Sequence, residues 1–239
     1  MNAQGGLYGN ALCAACFGDQ HAIVRLLLEH GAEANVPGGR YGKSLQAASF
    51  RGHAAIVCLL LGHGAEINAQ GGRHGNALQA ASYGGHCIVV RLLLERGANV
   101  HAQGGVEGNA LYAASSRGYD AIVRLLLEQG ADPNSRGGSY EWTVLQAASS
   151  GGHYAIVHRL LDNGADVNAQ GGCFEWNALY AASSRGHYAI VQLLLDHGAH
   201  VDAQGGHYGT ALQAAAFEGH EAIIRLLLDY GADTNAKRR

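Results

Sequence analysis

The chain has 239 residues, with 16 basic against 19 acidic side chains and a formal net charge of −3. Its Lys and Arg residues are spread along the chain, which argues against nucleic acid as a partner, because phosphate backbones are bound by concentrated basic patches. No apolar run approaches the roughly 18 residues that cross a bilayer, and residues 1–4 do not resemble a signal peptide. We therefore predict no membrane association and a cytoplasmic location, with a nuclear one as the alternative.

A double glycine recurs along the whole chain at steps of 33, 33, 33, 33, 34 and 34 residues. The pairs begin at Gly5, Gly38, Gly71, Gly104, Gly137, Gly171 and Gly205. Such a period is the signature of a repeat protein. It predicts seven copies of one unit within a single domain over residues 1–239, with approximate boundaries 5–37, 38–70, 71–103, 104–136, 137–170, 171–204 and 205–237.

The third copy shows the predicted plan of each unit. A short inner helix is expected from Asn76 to about Tyr83, because the segment is rich in small helix formers. A Gly85-His86 turn follows, and then an outer helix from about Cys87 to Arg96 whose apolar face contains Ile88, Val89, Leu92 and Leu93. The glycine after the leucine run is expected to end that helix in the left-handed conformation. One such helix pair cannot bury its apolar surface alone, so neighbouring pairs must stack.

This plan resembles the ankyrin repeat over essentially the whole chain. The resemblance is carried by a leucine followed two residues later by an alanine, by the Gly-His turn and by the Leu-Leu-Leu-x-x-Gly-Ala ending. These leucines are Leu12, Leu45, Leu78, Leu111, Leu145, Leu179 and Leu212. The resemblance implies an all-α solenoid of about seven helix-turn-helix units with β-hairpin loops, which binds another protein.

The chain departs from the family's Thr-Pro-Leu-His pattern in a consistent way. Four repeats have Asn-Ala in place of Thr-Pro, and Gln46, Gln79, Gln146 and Gln213 stand in place of His. We expect an Asn or Gln side-chain ladder to replace the family's hydrogen bonds between repeats. The Asn-Ala-Leu-Gln-Ala-Ala style with Gln-Gly-Gly tips looks like the near-identical tandem ankyrin arrays of filamentous fungi, which often follow nucleotide-binding domains. Neither end resembles a capping repeat, so a fragment with fraying or weakly self-associating ends is expected.

Histidine and cysteine are numerous enough to raise the question of a metal or redox site. Five of the 14 histidines occupy the same turn position, where the ring can hydrogen-bond to backbone of the adjoining loop. Cys13 and Cys16 form a Cys-x-x-Cys spacing within the first inner helix, but no second pair accompanies them, which favours packing. No nucleophile, base and orienting residue form a non-repeated group. The sequence predicts no enzyme, no cofactor and no metal.

Positions that vary between copies are the predicted binding positions, since repeated positions hold the fold. They lie at the hairpin tips and just before the Gly-His turns, and aromatic and Arg residues recur there, as in interface hot spots. Packing of each tip aromatic on the next hairpin is the alternative. The candidates are Tyr41, Phe50, Arg51, His74, Tyr83, Arg117, Tyr140, Glu141, Trp142, Phe174, Glu175, Trp176, Arg185 and Tyr208.

The two 34-residue repeats carry the sharpest candidate. Each places its extra residue in the tip and contains Glu-Trp there, Glu141-Trp142 and Glu175-Trp176, with the only two tryptophans of the chain. Neighbouring tips should lie about 10 Å apart. Two indoles beside two carboxylates would suit a Lys or Arg side chain of a partner. Alternatively, each Trp only covers its enlarged loop.

Three functions remain open at this point. A protein-interaction module is favoured by the variable, partly aromatic surface. A self-assembling scaffold that stacks through uncapped terminal repeats is the alternative. An enzyme subunit or metal protein is the least supported.

Overall fold

The computed structural model describes residues 5–173 and 175–236, and its regular secondary structure consists almost entirely of paired short helices. The first eight are α1 (Ala11–Phe17), α2 (His21–Glu29), α3 (Ser44–Arg51), α4 (Ala54–Gly62), α5 (Ala77–Gly84), α6 (Cys87–Glu95), α7 (Ala110–Ser116) and α8 (Asp120–Glu128). The next six are α9 (Val144–Ser150), α10 (Tyr154–Asp162), α11 (Ala178–Ser184), α12 (Tyr188–Asp196), α13 (Ala211–Glu218) and α14 (Glu221–Asp229). The predicted helix-turn-helix plan is therefore confirmed.

The hairpin tips contain little regular strand. In the fifth repeat β1 (Arg136–Gly137) pairs antiparallel with β2 (Trp142–Thr143), in the register Arg136 to Thr143 and Gly137 to Trp142. Four other tips close through a single antiparallel bridge, such as Gly5 with Gly9. A tip needs only this much pairing because it is held by the neighbouring repeat, as described below.

The chain forms two compact units. Unit 1 is drawn from residues 1–114 and 121–131, and unit 2 from 115–120 and 132–239. In unit 1 the inner helices α1, α3 and α5 pack in sequence, as do the outer helices α2, α4 and α6. In unit 2 the same holds for α9, α11 and α13 and for α10, α12 and α14. One domain over the whole chain stays a prediction.

Small side chains allow the inner helices to approach one another. Ala80 and Ala81 of α5 are fully buried, as are the corresponding alanines of α11, Ala181 and Ala182. The outer helices bury a leucine and valine face against them, which in α6 consists of Val89, Val90 and Leu93. The prediction that Ile88 belongs to this face was wrong. Ile88 is 75% exposed, because one helical step of 100° turns it away from its buried neighbour Val89.

The inner helix α5 begins with a polar cap that also contacts the next repeat. In α5 the Asn76 side chain accepts a hydrogen bond from Gln79 N (2.9 Å), and Gln79 Oε1 accepts one from Asn76 N (2.7 Å). The Gln79 Nε2 amide then donates to the carbonyl of Ala102 at the end of its own repeat and to those of Gly104 and Gly108 in the following repeat, at 2.9 to 3.2 Å. Gln46 and Gln146 likewise bond to Gly75 and Trp176 of the following repeats, while Gln213 of the last repeat bonds to Ala236 of its own repeat. The expected glutamine ladder is confirmed.

The turn histidines also connect successive repeats. The ring nitrogens Nε2 of His53 and His86 lie 3.2 and 2.9 Å from the carbonyls of Phe17 and Phe50, and those of His187 and His220 bond in the same way to Ser150 and Ser184. These bonds confirm the predicted structural role of the turn position. Each bond joins residues about one repeat apart in sequence, so the histidines, like the glutamines, connect neighbouring repeats.

The outer helices share one type of ending. All seven glycines after the leucine runs have φ between 77° and 87°, which is the left-handed ending that glycine adopts without a Cβ clash. Within the described residues, no helix has the length and apolarity that a membrane span requires.

The cysteines divide into buried and accessible thiols, which makes a direct prediction. Cys13 and Cys16 are buried, and burial raises the pKa of both thiols, while Cys58 and Cys173 are exposed. Since the thiolate is the reactive form, we expect Ellman's reagent at pH 8 to modify Cys58 and Cys173 rapidly and Cys13 and Cys16 only after unfolding. Rapid reaction of Cys13 and Cys16 in the folded chain would contradict the packing of the first inner helix.

Candidate functional site

Four predicted binding residues of unit 1, Tyr41, Phe50, His74 and Tyr83, lie in one row of contacting rings. From the first repeat to the third, the row contains Tyr8, Phe17, Tyr41, Phe50, His74 and Tyr83. Neighbouring ring centroids lie 4.5 Å apart for Phe17 and Tyr41, 5.6 Å for Tyr41 and Phe50, and 4.7 Å for Phe50 and His74 and for His74 and Tyr83. Tip rings and inner-helix rings alternate, so each tip aromatic packs on a neighbouring layer. Tyr41 and His74 pack on inner-helix rings, and Tyr8 also contacts the ring of the next tip, Tyr41, at 6.0 Å, so partner binding by this row stays a prediction.

Exposed cations border this row. The Arg51 guanidinium lies 4.9 Å from the centre of the Phe17 ring, a cation–π distance, and its residue is exposed. Arg40 and Arg73 are exposed at the second and third tips. The surface of unit 1 thus combines half-buried rings with exposed positive charge.

His74 does not belong on a partner surface. It is only 5% exposed, stacked between Phe50 and Tyr83, and its Nδ1 atom lies 3.3 Å from Oε2 of Glu107, which is also buried. The sequence assigned His74 to binding because it varies between repeats. Its ring instead fills the stack, which corrects that assignment.

Unit 2 contains a second row of rings at the two long tips. Tyr140, Trp142, Trp176 and Tyr180 follow one another with centroid separations of 6.2, 5.1 and 5.0 Å. Tyr140 is 64% exposed, and both indoles are half-buried. Neither tryptophan is therefore enclosed in its own loop, and the two contact each other instead of standing a full repeat apart.

Glycines of the following tip make room for these rings. A Cβ atom on Gly172 would lie 2.9 Å from Trp142 Cδ1, and one on Gly206 would lie 2.2 Å from Tyr180 Cζ. Tyr180 is buried, which raises the pKa of its phenol, and its hydroxyl accepts a hydrogen bond from Tyr208 N at 3.2 Å. The row is thus fixed to the backbone beneath it.

Two carboxylates are held beside the tryptophans in an unusual backbone conformation. Glu141 and Glu175 have φ of 54° and 50°. The corresponding tip residues of the second and third repeats, Gly42 and Gly75, have φ of 84° and 79°. A side chain in this region costs roughly 1 kcal/mol or more, so the two longest tips retain glutamate where glycine would be unstrained. Both glutamates are exposed.

An open cleft of about 340 Å³ lies next to the second row. It is lined by Trp176, Tyr180, Ser184, Arg185, His207, Tyr208 and Glu218. The Tyr208 ring is itself supported by Phe217, with the two centroids 4.2 Å apart. Arg185 and Glu218 are exposed. The cleft therefore has aromatic walls and two charged groups of opposite sign at its surface.

Sequence reasoning found some of these residues and missed others. Arg117 is exposed, with its guanidinium 6.0 Å from the Tyr119 ring, and Phe174 lies outside the described residues. Tyr180 was missed, although its place in the slot that holds Gln in four other repeats was a visible signal. Glu218 was also not chosen, although it stands at the variable position that holds Arg51, Arg117 and Arg185 in other repeats, because the arginines were selected there.

These surfaces can bind a partner through aromatic contacts and charge. Among residues 5–173 and 175–236, no three His, Cys, Asp or Glu side chains are grouped so that they could hold a metal ion. Half-buried rings with fixed positions can desolvate a partner side chain at small entropic cost, and exposed charges beside them can select its sign.

Comparisons with known proteins agree with the repeat plan. The family model "Ankyrin repeats (3 copies)" matches residues 1–71, 77–171 and 144–238. The crystal structure of the human ASB11 ankyrin repeat domain superposes with a TM-score of 0.81 at 25% sequence identity, covering 94% of this chain and 99% of that one. None of the curated protein sequences matches this chain significantly.

Proposed function

Because the chain belongs to the ankyrin-repeat family, whose repeats are in general non-catalytic protein-interaction modules, we propose that it binds a partner protein through its hairpin tips and the inner-helix ends beside them. The observation that carries this proposal is the row Tyr140, Trp142, Trp176 and Tyr180, whose first three rings keep exposed surface. No catalytic step, cofactor or nucleic acid is part of the proposal, and the location proposed is the cytoplasm or nucleus.

Fold and binding use different positions of the repeat. The leucine and alanine positions shared by all copies are largely buried. Gln79 is also buried, and its amide group contacts the following repeat. The tip positions that differ between copies are accessible at Arg40, Arg73, Tyr140 and Glu175. Changes at such positions can alter partner choice while leaving the stack intact.

Self-association is the second candidate function. Leu7, Ile23 and Leu26 of the first repeat and Phe217 and Leu228 of the last are exposed apolar side chains. Contacts of these surfaces between copies would produce weak dimers or longer chains. Analytical ultracentrifugation over a hundredfold range of concentration tests this, since self-association requires a mass that rises with concentration.

Capture from a cell lysate tests the main proposal. We expect a partner that binds the wild-type chain to be lost from a Trp142→Ala, Trp176→Ala variant, because two half-buried indoles in contact are typical hot-spot residues, each worth roughly 2 kcal/mol or more. The matched control is Tyr154→Ala, Tyr188→Ala, which removes two aromatic residues of the outer helices that are each 46% exposed.

Circular dichroism first establishes that both variants are folded. Equal capture by the wild-type chain and the tryptophan variant would move the binding surface away from the long tips. Loss of the partner only from the tyrosine control would place it on the outer helices and contradict the proposal.

A further inference from the structure

The cleft beside Trp176 has aromatic walls and is lined by Glu218, and two further exposed glutamates, Glu141 and Glu175, belong to tips of the same unit. Glu141, Glu175 and Glu218 are exposed, and none of them forms an ion pair with another residue of the described chain. Glu218 lies close enough to Tyr180 to affect its titration, and it lines the cleft directly. The surface therefore presents negative charge next to ring faces.

The other two glutamates belong to tips that pack on one another in succession. The tip containing Glu141 packs on Gly171, and the tip containing Glu175 packs on Gly205, since Cβ atoms on these glycines would lie 2.9 and 2.2 Å from the respective glutamate carbonyls. Three successive tips are thus in contact. Against the three carboxylates stands one guanidinium in the cleft, that of Arg185.

Glu141 and Glu175 also share a strained backbone conformation. Glu141 and Glu175 are two of the three non-glycine residues with positive φ in the described chain. Strained residues of this kind concentrate at functional sites. Here the strain fixes a Glu next to a Trp in two consecutive repeats, and each Trp contacts the other at 5.1 Å.

We infer that the cleft lined by Trp176, Tyr180, Tyr208 and Glu218 binds an arginine side chain of a basic segment of the partner protein, with Glu141 and Glu175 attracting the flanking positive charge. This deepens the proposed function and rests on it. The planar guanidinium stacks on aromatic faces and forms paired hydrogen bonds with a carboxylate, which the ammonium group of lysine cannot do. The stacked Trp142 and Trp176 leave no space between them, so the cation lies in the cleft and not between the indoles.

The two tryptophans are the only ones in the chain and provide the readout. The probe is the peptide acetyl-Gly-Arg-Gly-Arg-Gly-amide, titrated against the full chain while Trp fluorescence is recorded. Three further peptides carry lysine, citrulline or glutamate in place of arginine. Citrulline has the shape of arginine without its charge. We expect the arginine peptide to bind at least about fivefold more tightly than the citrulline peptide, and the glutamate peptide to bind least.

Variants of the two charged cleft residues give effects of opposite sign. We expect Glu218→Gln to weaken binding of the arginine peptide about fivefold and Arg185→Gln to strengthen it about twofold, because one removes attraction and the other repulsion. Both residues are exposed, so the variants should fold. Glu95→Gln, an exposed carboxylate on α6 in unit 1, is the matched control and should leave the affinity unchanged.

Equal affinity for the arginine and citrulline peptides, the same effect from Glu95→Gln as from Glu218→Gln, or no binding of the arginine peptide would each overturn the inference. If a lysate partner is still lost on replacing Trp142 and Trp176, the interaction function stands while the arginine preference is wrong. If no partner is captured either, both are wrong.

Discussion

Replacement of Gln79 by alanine is expected to lower the free energy of unfolding by about 3 kcal/mol, although the residue is far from any proposed partner contact. Gln79 is buried, and its amide group forms one hydrogen bond to its own helix cap, one to Ala102 at the end of its own repeat and two to the following repeat. Its removal leaves several buried backbone groups without hydrogen-bond partners, and each such group lowers the free energy of unfolding. Urea denaturation followed by circular dichroism measures the effect.

Gln103→Ala is the matched control, because Gln103 belongs to the same repeat and is exposed. Its replacement should change the stability by no more than about 0.5 kcal/mol. A Gln79→Met variant, which keeps the side-chain volume, should resemble Gln79→Ala. If Gln79→Met were as stable as the wild-type chain, filling of space and not hydrogen bonding would explain the conserved glutamine slot within the repeats.

Replacement of Gly105 by alanine is expected to be similarly damaging, for a steric reason. A Cβ atom there would lie 2.5 Å from the carbonyl carbon of His74 and 2.6 Å from Gly75 N, so the backbones of two tips would have to separate. Gly97→Ala provides the comparison. Gly97 has φ of 86°, against 66° for Gly105, but its Cβ position has nothing within 4 Å.

Both substitutions introduce a left-handed alanine, which costs roughly 1–2 kcal/mol. Only Gly105→Ala adds a clash with backbone, and we expect it to be the less stable variant by about 2 kcal/mol or more. Equal denaturation midpoints for the two variants would show that the tips are not packed as closely as described.

The parts of the fold that could be predicted from sequence are those set by local and repeated chemistry. The 33-residue period identified the units, and the glycines after each leucine run identified the helix ends, because only that residue takes a left-handed ending without strain. The glutamine ladder followed from one substitution repeated at Gln46, Gln79, Gln146 and Gln213. Each of these features depends on one position of the unit that recurs in successive repeats.

What could not be predicted depends on how side chains meet between repeats. Ile88 has the residue type of the core, yet its angle around α6 exposes it. His74 varies like a binding residue, yet its ring completes the stack between Phe50 and Tyr83. The spacing of the long tips suggested indoles about one repeat apart, whereas Trp142 and Trp176 lean together to 5.1 Å. The spacing of residues reveals the length of the repeat, but it does not determine the direction of each side chain.

Hydrogen–deuterium exchange on the chain alone and with a captured partner tests the location of the binding surface most directly. Binding at the tips and inner-helix ends predicts that the partner slows exchange at the tips of the fifth and sixth repeats and near the ends of α11 and α13, while the outer helices α10 and α12 are unchanged. Protection confined to α10, α12 and the other outer helices would contradict the account.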